Sequence, residues 1–249
     1  MVSPRPFRAL RYQPARIELG AVIGAVSGVA SGAPAGDPRH ASRLLDGSAA
    51  PGDGASAAAR RARFRLADWR RAGIVARDAQ PALTLIRRSG ADEEALGLFC
   101  ALPVSAFAGT DPPHDVAREE WLEHTRVAVE PVVASFPSDA RLRRVLDNAA
   151  DREPDATWTD RGRTFELWVL DDESTAARIA AMLDASVLEL RAGAELLATH
   201  AAFAARQPRA SDHDRLAAAS FALCFLHPSD HDWPNVPSGA ALLPLDGEL

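Results

Sequence analysis

Two apolar runs of strand length, residues 82–87 and 95–104, are held apart only by the polar stretch Ser89-Gly90-Ala91-Asp92-Glu93-Glu94, so the pair is read as an antiparallel hairpin. A second pair, residues 157–159 and 164–170, flanks Asp160-Arg161-Gly162-Arg163 in the same way. Helical periodicities lie between and around these hairpins. Ala58, Ala62, Leu66 and Trp69 recur at helical spacing, with Gly73 placed to end the helix. Residues 116–129 form a second candidate, and Leu142, Val145, Leu146 and Ala149 share one face of a third behind Ser138 as its cap. A fourth starts at Asp171 and Asp172 with Ile179 and Leu183 inward, and residues 193–205 supply the last. Further strands are expected over residues 131–136, 187–190 and 218–227. Strands alternating with helices, plus two hairpins, predict an α+β (mixed α/β) fold: a mixed sheet with β-hairpins and flanking helices.

The length of 249 residues is enough to bury one large core, and the whole span 1–249 is read as one domain. Within it, residues 26–58 are rich in Gly, Ala, Ser and Pro and are expected to be a flexible insertion, while the proline-rich residues 228–249 are expected to wrap the surface as a tail. All 28 basic residues are arginine, which excludes Schiff-base, phosphate-loop and general-base chemistry that needs a lysine. A net charge of −6 argues against nucleic acid as the main partner. Arg60, Arg61, Arg63, Arg65, Arg70 and Arg71 cluster on a helix whose other face is apolar, which reads as a solvated face. Cys100 and Cys224 lie in apolar strand-like runs, where a free thiol acts as a small hydrophobe, and the expected compartment is a reducing cytoplasm.

Residues 19–35 carry no charge after an arginine-rich start, the outline of an export signal, and Gly20, Gly24, Gly28 and Gly32 repeat every fourth residue. The stretch is composed of small residues and is too short to span a bilayer, so no membrane association is expected.

The most specific stretch is Pro6-Phe7-Arg8-Ala9-Leu10-Arg11-Tyr12, a short strand carrying the sole tyrosine. It resembles the opening of the bacterial and archaeal domain-of-unknown-function 1015 family, and later stretches fit that family in order. Ala67-Asp68-Trp69-Arg70-Arg71-Ala72-Gly73-Ile74-Val75 followed by Pro81-Ala82-Leu83 is similar to its helix, turn and following strand. Pro113-His114-Asp115 resembles its Pro-His-Glu motif, Arg118 the arginine after it, Glu130-Pro131 the start of the next strand, and Arg163-Thr164-Phe165-Glu166-Leu167-Trp168 its His-x-Leu-Trp segment. The chain thus resembles a divergent, C-terminally shortened member. The family signature Ile-Ala-Asp-Gly-His-His-Arg should fall at residues 190–196, where only Gly193 agrees, and a later Pro-Thr-His-Arg should fall at residues 237–240 without its His and Arg. That signature in turn resembles the ParB, sulfiredoxin and free-serine-kinase group, which implies nucleotide or phosphate chemistry for the family, with His and Arg donors holding phosphate oxygens.

From this resemblance the chain is expected to be a catalytically degenerate scaffold for a phosphorylated small molecule or nucleotide, or a regulatory protein. The candidate ligand-binding residues are Arg8, Arg11, Tyr12, His114, Asp115 and Arg118, with no cofactor. The alternatives are an active small-molecule phosphotransferase using His114, Asp115 and the nearby arginines, and a subunit that partners an intact homologue. The repeated Ser211-Asp212-His213-Asp214 and Ser229-Asp230-His231-Asp232, with His227 nearby, offer metal-ligand types but read as turns and caps, so no metal is expected. His200 is expected at the edge of the core, and Glu119, Glu120 and Glu123 on an exposed ion-paired helix face.

Overall fold

The computed structural model describes residues 4–25, 37–45, 54–90, 93–107, 114–207, 218–231, 233 and 236–246. In chain order its elements are β1 (Leu10–Tyr12), α1 (Leu19–Val22), β2 (Gly24–Ala25), α2 (Ser42–Leu45), α3 (Ala55–Arg71), β3 (Val75–Arg77), β4 (Leu83–Ser89) and β5 (Glu94–Pro103). They continue with α4 (Val116–Thr125), β6 (Val127–Ala128), β7 (Val132–Phe136), α5 (Ala140–Ala149), β8 (Ala156–Asp160), β9 (Arg163–Leu170) and α6 (Glu173–Asp184). The last are β10 (Glu189–Ala192), α7 (Ala194–Arg206), β11 (Phe221–Pro228), β12 (Pro237–Ser238) and β13 (Leu243–Pro244). This is the expected α+β class.

Seven strands form the central sheet in the order β10-β7-β11-β5-β4-β9-β8. Every neighbouring pair is antiparallel except β7 and β11, which run parallel. Both hairpins fall where the polar turns place them, pairing β4 with β5 and β8 with β9. Strand side chains alternate between faces. Leu96, Leu98, Cys100 and Leu102 of β5 join one buried cluster with Leu142, Val145 and Leu146 of α5 and Ile179 and Leu183 of α6. Ala95, Phe99 and Ala101 point the other way, into a cluster that includes Leu66 and Trp69 of α3 and Leu122 of α4. Cys100 and Cys224 are directly opposed across β5 and β11, fully buried and free.

Close packing is sharpest at Gly97. The Phe225 ring lies over it, wedged between Phe99 and Trp233 with centroids 4.9 and 4.8 Å away, and a methyl group on Gly97 would sit 2.0 Å from the ring tip. Gly97→Ala is expected to cost about 1–3 kcal/mol through overpacking, read as a lowered urea midpoint at an unchanged slope.

Helix ends follow local chemistry. Asp115, Asp139 and Asp172 cap α4, α5 and α6 by accepting backbone N–H bonds, so Asp139 rather than Ser138 is the cap of α5. Gly73, at φ +68°, closes α3 as expected, with its N–H on Arg70 O and that of Ile74 on Trp69 O.

Three boundaries differ from the sequence reading. α4 stops at Thr125 because Arg126 turns left-handed (φ 54°), which frees Val127 and Ala128 to pair with Pro244 and Leu243. The strand expected over residues 187–190 lies at residues 189–192, leaving Val187 73% exposed. Within the expected surface tail, Ala240, Ala241, Leu242, Leu243 and Leu245 are buried, and Leu242 exchanges backbone hydrogen bonds with Leu10. Its apolar run, not its prolines, decides its position.

Inside the stretch expected to be a flexible insertion, α2 buries Leu44 beneath the core, and Trp121 Nε1 donates to Leu44 O at 2.8 Å. Among the described residues no helix is long and apolar enough to cross a membrane.

Candidate functional site

The six candidate residues fall into two groups, and no hydrogen bond or ion pair among the described residues joins one group to the other. The first is built on β1, which pairs with β3 and bridges to the main sheet through Phe7 and Ala82. Arg11 is buried there, its Nε 2.8 and 2.9 Å from the two Asp78 carboxylate oxygens. Its terminal nitrogens donate to Thr84 Oγ1 at 2.7 Å and to Ala240 O at 3.5 Å, so every face of the guanidinium is used. Burial pulls the Arg11 guanidinium below its usual range and pushes the Asp78 carboxyl above its own, while each partner opposes the other's shift. Arg8 donates to the Asp78 carbonyl at 3.0 Å. Tyr12 is buried beside Trp69 and donates its hydroxyl to Arg39 O at 2.7 Å; burial raises its pKa.

The second group gathers where α4 meets α7. Asp115 accepts from the N–H groups of Ala117 and Arg118, and its own N–H donates to Thr199 Oγ1 at 3.1 Å. Thr199 in turn donates to Glu195 O in the first turn of α7 at 2.7 Å. Arg118 lies 3.3 Å from Glu130 and 3.6 Å from Asp115. Burial raises the Glu130 carboxyl's pKa despite Arg118 beside it.

Glu119 is the residue the sequence reading misplaced. It was expected on an exposed face, yet its side chain is only 1% exposed. His114 Nε2 approaches one of its oxygens at 3.4 Å and Arg206 Nε the other at 3.0 Å, ion pairs whose geometry falls short of hydrogen bonds. Arg206 also reaches Glu123 at 3.6 Å. The acidic run Glu119-Glu120 hides this because the arginine that pairs with Glu119 lies on α7, far along the chain. Four carboxylates (Asp115, Glu119, Glu123 and Glu130) thus face two guanidinium groups and one imidazole. Such a set neutralises itself and leaves no excess positive charge to draw a phosphate.

The region where the signature motif should lie is the β10–α7 junction. Gly193 adopts φ +87°, and a Cβ there would come within 3.2 Å of Val132 Cα, so the position needs glycine. Around it stand Ala192, Ala194, the exposed Glu195 and the buried Leu196. A helix N-terminus attracts anions, and here Glu195 already occupies the first turn.

Elsewhere, Arg60, Arg63, Arg70 and Arg71 are exposed on α3, as expected of a solvated face, and Arg65 donates to Arg43 O. His200 is deeper than the core edge, fully buried with Nδ1 lacking a hydrogen-bond partner, and desolvation lowers its pKa to about 4. Among the described residues no group of His, Cys, Asp and Glu is arranged to hold a metal ion. Residues 211–214 and Asp232, parts of the repeated acidic and histidine motif, lie outside the described residues, as does Pro113.

A family model described as "Protein of unknown function (DUF1015)" matches residues 5–232. No curated protein and no solved structure matches the chain.

Proposed function

Since the chain belongs to the DUF1015 family of proteins of unknown function, we propose that this member is a catalytically degenerate binding or regulatory scaffold, related in framework to phosphate-handling proteins. The observation that carries the reading is the β10–α7 junction. Its strand–glycine–helix backbone, with Gly193 at φ +87° against Val132, suits an anion site, while Ala192, Ala194, Glu195 and Leu196 offer neither imidazole nor guanidinium. The nearest cation along the chain, Arg191, donates to Ser135 Oγ at 2.7 Å and pairs with Glu189 at 2.8 Å, and His114, Arg118 and Arg206 are likewise balanced by carboxylates. A phosphorylated ligand binds there only by displacing those internal partners.

One observation favours the rival reading, an active phosphotransferase: the buried Glu119 carboxylate stands 3.4 Å from the half-exposed His114 imidazole, an arrangement that can orient an acid/base. Thermal shifts with millimolar nucleotides and phosphorylated metabolites separate the two. The scaffold reading expects a rise of no more than about 1–2 °C for the wild-type chain, and a larger rise for Glu130→Gln, which removes the nearer of the two carboxylates paired with Arg118. A rise above about 5 °C for the wild-type chain, abolished by His114→Ala, would mean an intact phosphate pocket and overturn the proposal.

A further inference from the structure

β7 and β11 are the one parallel pair in the central sheet, and they end side by side, with Phe136 in register with Pro228. In open sheets the crevice beyond the carboxyl ends of parallel strands is where ligands settle, because the connections diverge there. The chain keeps a cavity of about 270 Å³ at this place, bounded by the first turn of α5. Its position is stiff: Ser229 N–H donates to Phe136 O at 2.8 Å, and His231 N–H donates to Pro228 O at 3.2 Å.

The lining divides by chemistry. Leu96, Phe136, Leu146 and Pro228 make an apolar floor, and all four are buried. The rim carries both signs of charge. Arg143 is exposed on α5, and its guanidinium makes no hydrogen bond or ion pair within the described residues. Asp230 keeps lone pairs to spare, with His231 Nε2 3.9 Å away and Arg143 near enough to help lower its pKa, while Glu94, also in the lining, lies 3.8 Å from Arg87. A bare phosphate meets Asp230, Asp139 and Glu94 around a single guanidinium, which opposes it. A small molecule with an apolar body, a carboxylate for the guanidinium fork and an ammonium for the acidic side pairs Arg143 and Asp230 while covering the apolar floor.

We propose that this crevice at the ends of β7 and β11 binds a small apolar amino acid or a zwitterion of similar shape, its carboxylate on Arg143, its ammonium on Asp230 and its side chain on the Leu96–Phe136–Leu146 floor. The site is separate from the one considered above: Gly193 packs on Val132 at the start of β7, whereas the crevice opens beyond Phe136 at its end. Either reading therefore stands or falls without the other.

Titration calorimetry of the full chain with L-leucine, isocaproate, isoamylamine and inorganic phosphate tests it. L-leucine is expected to bind, and the two single-charge analogues to bind at least ~10-fold more weakly. Arg143→Gln and Asp230→Asn are each expected to weaken L-leucine by ~10-fold or more. Arg143 is exposed, so Arg143→Gln keeps the unliganded melting temperature and remains informative if Asp230→Asn disturbs the turn. Absence of L-leucine binding, binding indifferent to Arg143→Gln, or phosphate binding more tightly than L-leucine would each overturn the proposal.

Discussion

Arg11→Ala lowers the melting temperature by about 10 °C at neutral pH. Removing one partner of a buried ion pair leaves the other charge uncompensated, a loss of roughly 3–5 kcal/mol, and a domain of this size loses about 2–4 °C per kcal/mol. The Asp78 carboxylate that is left behind accepts from Arg11 at 2.8 and 2.9 Å, and burial already raises its pKa. Without the guanidinium that carboxyl titrates higher still. A carboxyl whose folded pKa lies above its unfolded value weakens the fold at pH above the folded pKa, and the penalty lifts as pH falls through it. The variant's deficit is therefore expected to shrink in acid. Asp78→Asn added to Arg11→Ala is expected to recover part of the loss, and a strictly additive double variant would contradict the pairing.

The second large effect is on pH dependence. The His200 imidazole titrates near 4 in the folded chain against an ordinary 6.5, because burial disfavours its charged form. Between those values the unfolded chain binds the proton and the folded chain does not, so stability falls as pH drops from 6.5 towards 4. The full difference is worth about 3 kcal/mol. His200→Leu is expected to flatten urea-derived stability over that window while leaving the neutral value equal or higher, since Nδ1 has no partner to lose. An unchanged slope in the variant would assign the acid sensitivity to other groups.

What the sequence made legible was local. The β4–β5 hairpin declared itself because alternation of period two and a polar turn are properties of neighbouring residues, and Gly73 ended α3 for the same reason. What stayed hidden depends on contacts between distant segments. Nothing near Glu119 announces that Arg206 will meet it in the interior, and nothing near Arg11 announces that Asp78, Thr84 and Ala240 will use all its donors. The buried run from Ala240 to Leu245 was masked by the prolines around it.

Of the candidate site, Arg118 lies 3.6 Å from Asp115 and His114 lies 3.4 Å from Glu119. Arg8, Arg11 and Tyr12 instead spend their polar atoms on Asp78, Thr84, Ala240 and Arg39. Side-chain type alone did not separate a ligand-facing arginine from one whose partners are internal. The partner count around each guanidinium does.

The proposed loss of phosphoryl chemistry at the β10–α7 junction is tested most directly by phosphorus NMR of ATP and magnesium incubated with stoichiometric purified chain and candidate small-molecule acceptors. The spectrum is expected to stay that of ATP over hours, identical for the wild-type chain and His114→Ala. A new phosphorus resonance from ADP or a phosphorylated acceptor, present with the wild-type chain and missing with His114→Ala, would contradict it.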